Sequence, residues 1–185
     1  MFLISGLGNP GQEYLMTPHN AGFLFVNSLS EYLRKINLEV SNWENEDKFF
    51  MSELSKVKRD GEVIGILQKP LTYMNRSGIA IKKVFDKFDI DQFVLAHDDL
   101  DIPLGKYKIQ EGKSPKGHNG VKSVEDSLGT LDFERVRIGV DHRQEDIDIP
   151  GEDYVLMRYS DKEMEDLEFA IQDAVEALSK NLFEL

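Results

Sequence analysis

No cysteine occurs among the 185 residues, which excludes disulfides and thiolate chemistry and fits a reducing compartment. Long apolar runs are missing as well. No stretch approaches 18 apolar residues, and the N-terminal MFLISGLGNPG has neither a basic head nor a long apolar core, so neither membrane insertion nor export is expected. The G-x-S-x-G and H-E-x-x-H patterns are absent too, leaving a serine-elbow hydrolase or a zinc peptidase unsupported. Basic charge is scarce, with a formal net charge of -12, which at first sight argues against a phosphate-binding surface. Repeats, low-complexity tracts and linkers are lacking, and the length suits one domain over residues 1–185. A cytoplasmic protein that makes no use of a membrane is the expectation.

The chain does hold four short stretches rich in histidine, asparagine and carboxylate in contexts that read as loops: GLGNPGQEYLMTPHN (6–20), KPLTYMN (69–75), AHDDLD (96–101) and KGHNG (116–120). Loops on a rigid scaffold are where a fold places groups that meet a ligand. Charge is also unevenly spread. Residues 161–185 carry eight acidic and two basic side chains, half the total excess, whereas residues 106–122 carry five lysines against Glu111. A local basic loop on an acidic body is the functional reading of that contrast.

Periodicity predicts strands alternating with helices. FLISG (2–6) suits a buried first strand, and a helix begins near Asn20 with Ala21, Leu24, Phe25, Leu29 and Leu33 on one face. Residues 37–48 look irregular, and FFMSELSKV and EVIGILQKP form a hairpin about Arg59-Asp60-Gly61. A second helix runs from Ser77 to about Phe88, and QFVLA (92–96) is a buried-type strand ending at His97. GKYKIQ is a short strand, 121–128 a helix, 134–140 a strand, and a strong helix starts at Asp161, placed as its N-cap. The fold class that follows is α/β: a single domain whose twisted mixed sheet is flanked by helices.

Gly6-Leu7-Gly8-Asn9-Pro10-Gly11 matches the dinucleotide fingerprint G-x-G-x-x-G after a strand. That fingerprint needs a helix to open at once, and Pro10, Gly11 and Pro18 delay it. A glycine turn packing strand against loop explains the pattern better. His19 is the stronger candidate. Imidazole can take a proton from water at neutral pH, and a carboxylate on its other nitrogen fixes the tautomer, a role for which Asp98 is best placed. Asn9, Asn75 and Asn119 offer neutral donors and acceptors for peptide-like groups or an oxyanion, though Asn beside Gly or Pro also simply caps turns. His97, Asp98, Asp99 and Asp101 with His19 or His118 offer metal ligands in principle, but without paired-ligand spacing; no metal or cofactor is expected.

GLGNPGQEYLMTPHNAGF, KPLTYMNRSG, LAHDDLDIPLGKYK and GHNGVKSV together closely resemble the signature segments of bacterial-type peptidyl-tRNA hydrolases, in the same order from residue 3 to about residue 140. The resemblance implies a monomeric α/β hydrolase acting in translation and ribosome rescue, with peptidyl-tRNA as partner. The implied reaction cleaves the ester between the peptide and the 3′ end of tRNA. It implies His19 as catalytic base, Asp98 as its support, and Asn9 as the residue that tells peptidyl from aminoacyl substrates. Tyr14, Tyr73, Asn75 and Asn119 fall on substrate-contacting positions, with Met74 and His118 lining the cleft; Tyr73 replaces a common phenylalanine. Asn119 and Asn75 both stand as candidates for the oxyanion. Lys106, Lys108, Lys113, Lys116 and Arg137 are the expected tRNA phosphate contacts. The segment before GHNG is stiffer and more charged than is usual in the family, and the C-terminal region is shorter and acidic. A non-catalytic RNA-binding relative and a nicotinamide enzyme are the alternatives from other classes.

Overall fold

The first strand, β1 (Phe2–Gly6), is buried along its whole length, as five consecutive apolar or small residues demand of a strand covered on both faces. The computed structural model, which describes residues 1–113, 115, 117–143 and 148–183, places it at the centre of a mixed sheet. After β1 come α1 (Ala21–Lys35), the two-residue strands β2 (Glu39–Val40) and β3 (Glu44–Asn45), α2 (Asp47–Phe50), β4 (Ser52–Arg59) and β5 (Glu62–Pro70). Then follow α3 (Ser77–Lys87), β6 (Gln92–Pro103), β7 (Tyr107–Glu111), α4 (Asn119–Leu128), β8 (Glu134–Asp141), α5 (Gly151–Tyr154) and α6 (Asp161–Phe183).

Strand order is β2-β4-β5-β1-β6-β8-β7, with β3 also paired to β4. The inner pairs β1–β5, β1–β6 and β6–β8 are parallel, and the flanks are antiparallel. Alternation along the strands sorts side chains onto two faces. Phe2, Ile4, Val94, Ala96, Val136 and Ile138 pack with α1 and α6. Leu3, Phe93 and Leu95 pack with α3 and α4. Helices therefore cover both faces, and the chain leaves β1 toward β5 on one side and reaches β6 on the other. Ligands bind beyond the carboxyl ends of parallel strands at such a switch point.

Several expectations change. Residues 37–48 are not irregular throughout: β2 and β3 pair with β4, and α2 opens at Asp47. The predicted strand from Phe49 starts instead at Ser52, because the turn of α2 holds 49–50 and Met51 follows with φ 51° in the left-handed region. QFVLA does not stop at Ala96; β6 continues to Pro103. AHDDLD is thus strand rather than loop, with the buried carboxylates of Asp98 and Asp99 held by tertiary partners. At α6 the cap is Ser160 rather than Asp161. The Glu163 amide donates to Ser160 Oγ (3.3 Å) and the Ser160 amide to Glu163 Oε2 (2.8 Å), the reciprocal pair of a capping box.

Candidate active site

The loop after β1 must bring a histidine down onto β6, and two glycines make the approach possible. A Cβ on Gly22 would lie 2.4 Å from both Ala96 O and Leu7 N, and one on Gly6 2.1 Å from Gly22 O. The head of α1 therefore rests directly on β1 and β6. The motif GLGNPG serves this packing, since only a short 3₁₀ turn (Gln12–Tyr14) follows it and α1 begins at Ala21. No helix N-terminus of the dinucleotide kind opens there. A second 3₁₀ turn, Pro18–Asn20, carries His19, and its amide donates to Val155 O at 3.0 Å.

His19 Nδ1 lies 3.0 Å from both carboxylate oxygens of Asp98. Asp98 is 2 % exposed, and its side chain also receives His118 Nε2 at 2.8 Å on Oδ1. Burial favours the neutral acid, but the two imidazoles more than offset it and hold the Asp98 carboxyl well below the ordinary carboxylate range. Burial likewise opposes a charged His19, yet the adjacent Asp98 charge and hydrogen bond win, and its pKa is raised above 6.5. With Nδ1–H committed to Asp98, His19 Nε2 has no protein partner among the described residues. It is the basic atom available to the cleft.

Asn9 is held by an amide exchange that the sequence did not disclose. Its amide donates to Asn20 Oδ1 (2.8 Å), Asn20 Nδ2 donates to Asn9 O (3.1 Å), and Asn9 Oδ1 accepts from the Met74 amide (2.9 Å). Among the described residues, Asn9 Nδ2 is left as a donor without a protein partner. Asn75 and Asn119 are exposed at the heads of the Met74–Arg76 turn and of α4. These groups share one cleft of about 760 Å³. All of the expected catalytic and substrate-contacting residues line it: Asn9, Tyr14, His19, Tyr73, Met74, Asn75, Asp98, His118 and Asn119. Its far wall, from Pro150 to Leu156, comes from a region where no periodicity marked an element, and it had no sequence signal.

The expected phosphate contacts divide. Lys106, Lys108 and Lys113 are exposed before, on and after the edge strand β7. Lys116 lies outside the described residues. Arg137 must be withdrawn: it is 3 % exposed, with Nε 2.6 Å from Asp99 Oδ2 and Nη1 3.0 Å from Gln110 Oε1. A guanidinium buried against its own carboxylate has no face left for a phosphate.

Ligand atoms of His19, Asp98 and His118 fall within 4.8 Å of one another, a spacing that would suit a metal ion. The proton placement does not suit one. Gly120 and Val121 amides donate to His118 Nδ1 (3.1 and 3.3 Å), so the ring's proton sits on Nε2, the atom facing Asp98. A cation there would meet an N–H rather than a lone pair.

The sequence matches the family described as peptidyl-tRNA hydrolase over residues 3–184. This chain belongs to that family. It is 42% identical over 179 residues to a peptidyl-tRNA hydrolase of Bacillus cereus (strain Q1), an alignment covering 96% of this chain and 90% of the relative. The enzyme of Kosmotoga olearia is 41% identical over 180 residues, covering 96% and 88%. The crystal structure of peptidyl-tRNA hydrolase from Acinetobacter baumannii superposes with a TM-score of 0.80 at 32% identity, covering 97% of this chain and 87% of that one. Family and fold thus agree with the expectation drawn from the four motifs. Among the described residues, no helix is long and apolar enough to cross a membrane.

Proposed function

We propose that the chain, residues 1–185 acting as one unit, hydrolyses the ester joining a peptide to the 3′ end of tRNA, with His19 as the base that activates water. The observation that carries this reading is the pairing of His19 Nδ1 with both oxygens of Asp98, which leaves Nε2 open to the cleft. Nε2 takes a proton as the water oxygen bonds to the ester carbonyl carbon. The oxyanion that forms lies within reach of the Asn119 or Asn75 amide. As the carbon–oxygen ester bond breaks, the proton on Nε2 passes to the departing ribose oxygen, giving free tRNA and a peptide carboxylate. An ester suits one imidazole–carboxylate pair, since its alkoxide leaves more readily than an amine.

Asn9 Nδ2 offers a donor for the first peptide carbonyl, a group that a free aminoacyl ester lacks. Tyr14, Tyr73 and Met74 supply the apolar and aromatic surface beside it. Lys106, Lys108 and Lys113 offer exposed cations for tRNA phosphates. The proposed unit of action is a monomer in the cytoplasm, where its substrate arises. His19→Ala assayed on N-blocked aminoacyl-tRNA or peptidyl-tRNA should lose roughly 100- to 10,000-fold in kcat. Undiminished turnover would end the proposal.

A further inference from the structure

The cleft contains a second imidazole on the catalytic carboxylate, and its other nitrogen is tied to a helix. His118 precedes α4 as its N-cap, where the usual capping residue is Ser, Thr, Asp or Asn. Its Nδ1 accepts from the amides of Gly120 and Val121, and its Nε2 lies 2.8 Å from Asp98 Oδ1. The ring packs at 5.1 Å between centroids from His19 and at 5.2 Å, edge-on, from the buried His97. Two amide protons on Nδ1 leave one tautomer, Nε2–H, and aim that proton at Asp98.

We propose that His118 is a positioning residue with two separable tasks. Its Nδ1 fixes the first turn of α4, which carries Asn119, and its Nε2–H holds the Asp98 carboxylate in the orientation that His19 needs. One ring thereby locks the oxyanion-side asparagine and the catalytic pair into a common frame. This rests on the reading of His19 and Asp98 given above.

The two tasks can be parted by two substitutions. In His118→Asn the side-chain oxygen is short enough to keep the cap, but the donor to Asp98 is lost. In His118→Gln the terminal amide reaches toward Asp98, while the cap is lost. Asp98, with one donor fewer in His118→Asn, interacts more strongly with a protonated His19. The acid limb of kcat/KM should then move to higher pH, and kcat should fall about tenfold, as expected for loss of a hydrogen bond to a charged group. KM should change little. His118→Gln should keep the wild-type acid limb but lower kcat, because Asn119 is no longer held for the oxyanion. The other ionisable groups in the cleft with His19 are Asp99 on β6, Glu152 on α5, Tyr14 and Tyr73, and none of them is altered by these changes.

A wild-type kcat and an unmoved acid limb in His118→Asn would overturn the proposal. Should either variant fold poorly, ¹⁵N-imidazole NMR of the unmodified protein decides instead: a proton on Nε2 and none on Nδ1 of His118 at pH 7.5 is required, and a proton on Nδ1 defeats it. His19→Ala run in parallel keeps the two readings apart. If that variant retains full turnover, the assignment of the base fails, whatever His118 does.

Discussion

At the residue scale the decisive fact is that Asp98 accepts from two rings at once. Replacing it by Asn tests what the charge supplies. The locked His118 Nε2–H would claim the new amide oxygen, turning the NH₂ toward His19 Nδ1 and forcing the proton of His19 onto Nε2. That tautomer cannot take a proton from water. Asp98→Asn should therefore lower kcat by between about 10²- and 10⁴-fold with little loss of fold. Any residual activity should show an acid limb at lower pH than wild type, since burial still opposes a charged His19 and the carboxylate that raised its pKa is gone. For the wild-type enzyme the sign is opposite: the base is lost on acidification through a pKa above 6.5. A kcat/KM profile with its acid limb below that value would contradict the assignment.

At the element scale the site depends on how closely α1 approaches β6. Gly22→Ala would put a methyl carbon 2.4 Å from Ala96 O and Leu7 N, both of them backbone atoms that cannot step aside. The head of α1 must lift, carrying the His19 turn with it. The expected cost is about 1–3 kcal/mol in urea unfolding, with a fall in kcat from a longer His19–Asp98 contact; a stable variant with full kcat would refute the close-packing account. Much of this level was legible beforehand. β1, the β4–β5 hairpin, α3, α4, β8 and α6 follow from hydrophobic period and turn residues, and the candidate residues that line the cleft from four motifs in order. AHDDLD was not legible as strand, because its buried carboxylates are satisfied by partners remote in sequence. Asp98 takes two imidazoles, and Asp99 takes Arg137. Arg137 misled for the same reason. A cation in a strand reads as a surface group until its neighbours are known, and Asp99 and Gln110 lie 38 and 27 residues away.

At the scale of the whole molecule two balances remain to be tested, one of charge and one of protons. If Lys106, Lys108 and Lys113 meet phosphate, KM should rise with salt, and alanine at Lys108 should flatten that rise. Arg137→Met should leave the salt slope alone and instead cost about 3–5 kcal/mol of stability, by stranding the buried Asp99 carboxylate. Protons act through two histidines of opposite sign. His97 is fully buried and its pKa is lowered to about 3, chiefly by desolvation. The unfolded chain binds a proton below about pH 6.5 that the native state refuses, so this residue's stability is complete above 6.5 and is lost as pH falls toward 3. His19 is raised, so its contribution is complete below 6.5 and drains away as pH rises through its folded pKa. Asp98 adds a further loss only below about pH 4, where the unfolded carboxylate begins to protonate. The His19 and Asp98 shifts are one coupling felt by both partners and count once. Stability from urea unfolding should therefore peak near pH 6.5 and fall on the acid side before the unfolded Asp98 carboxylate begins to protonate. His97→Phe, which cannot bind a proton, should be less stable at pH 7 through the lost bond to Asp98 O, yet should show no decline between pH 6.5 and 4.5. A parallel decline in both proteins would remove His97 as its source.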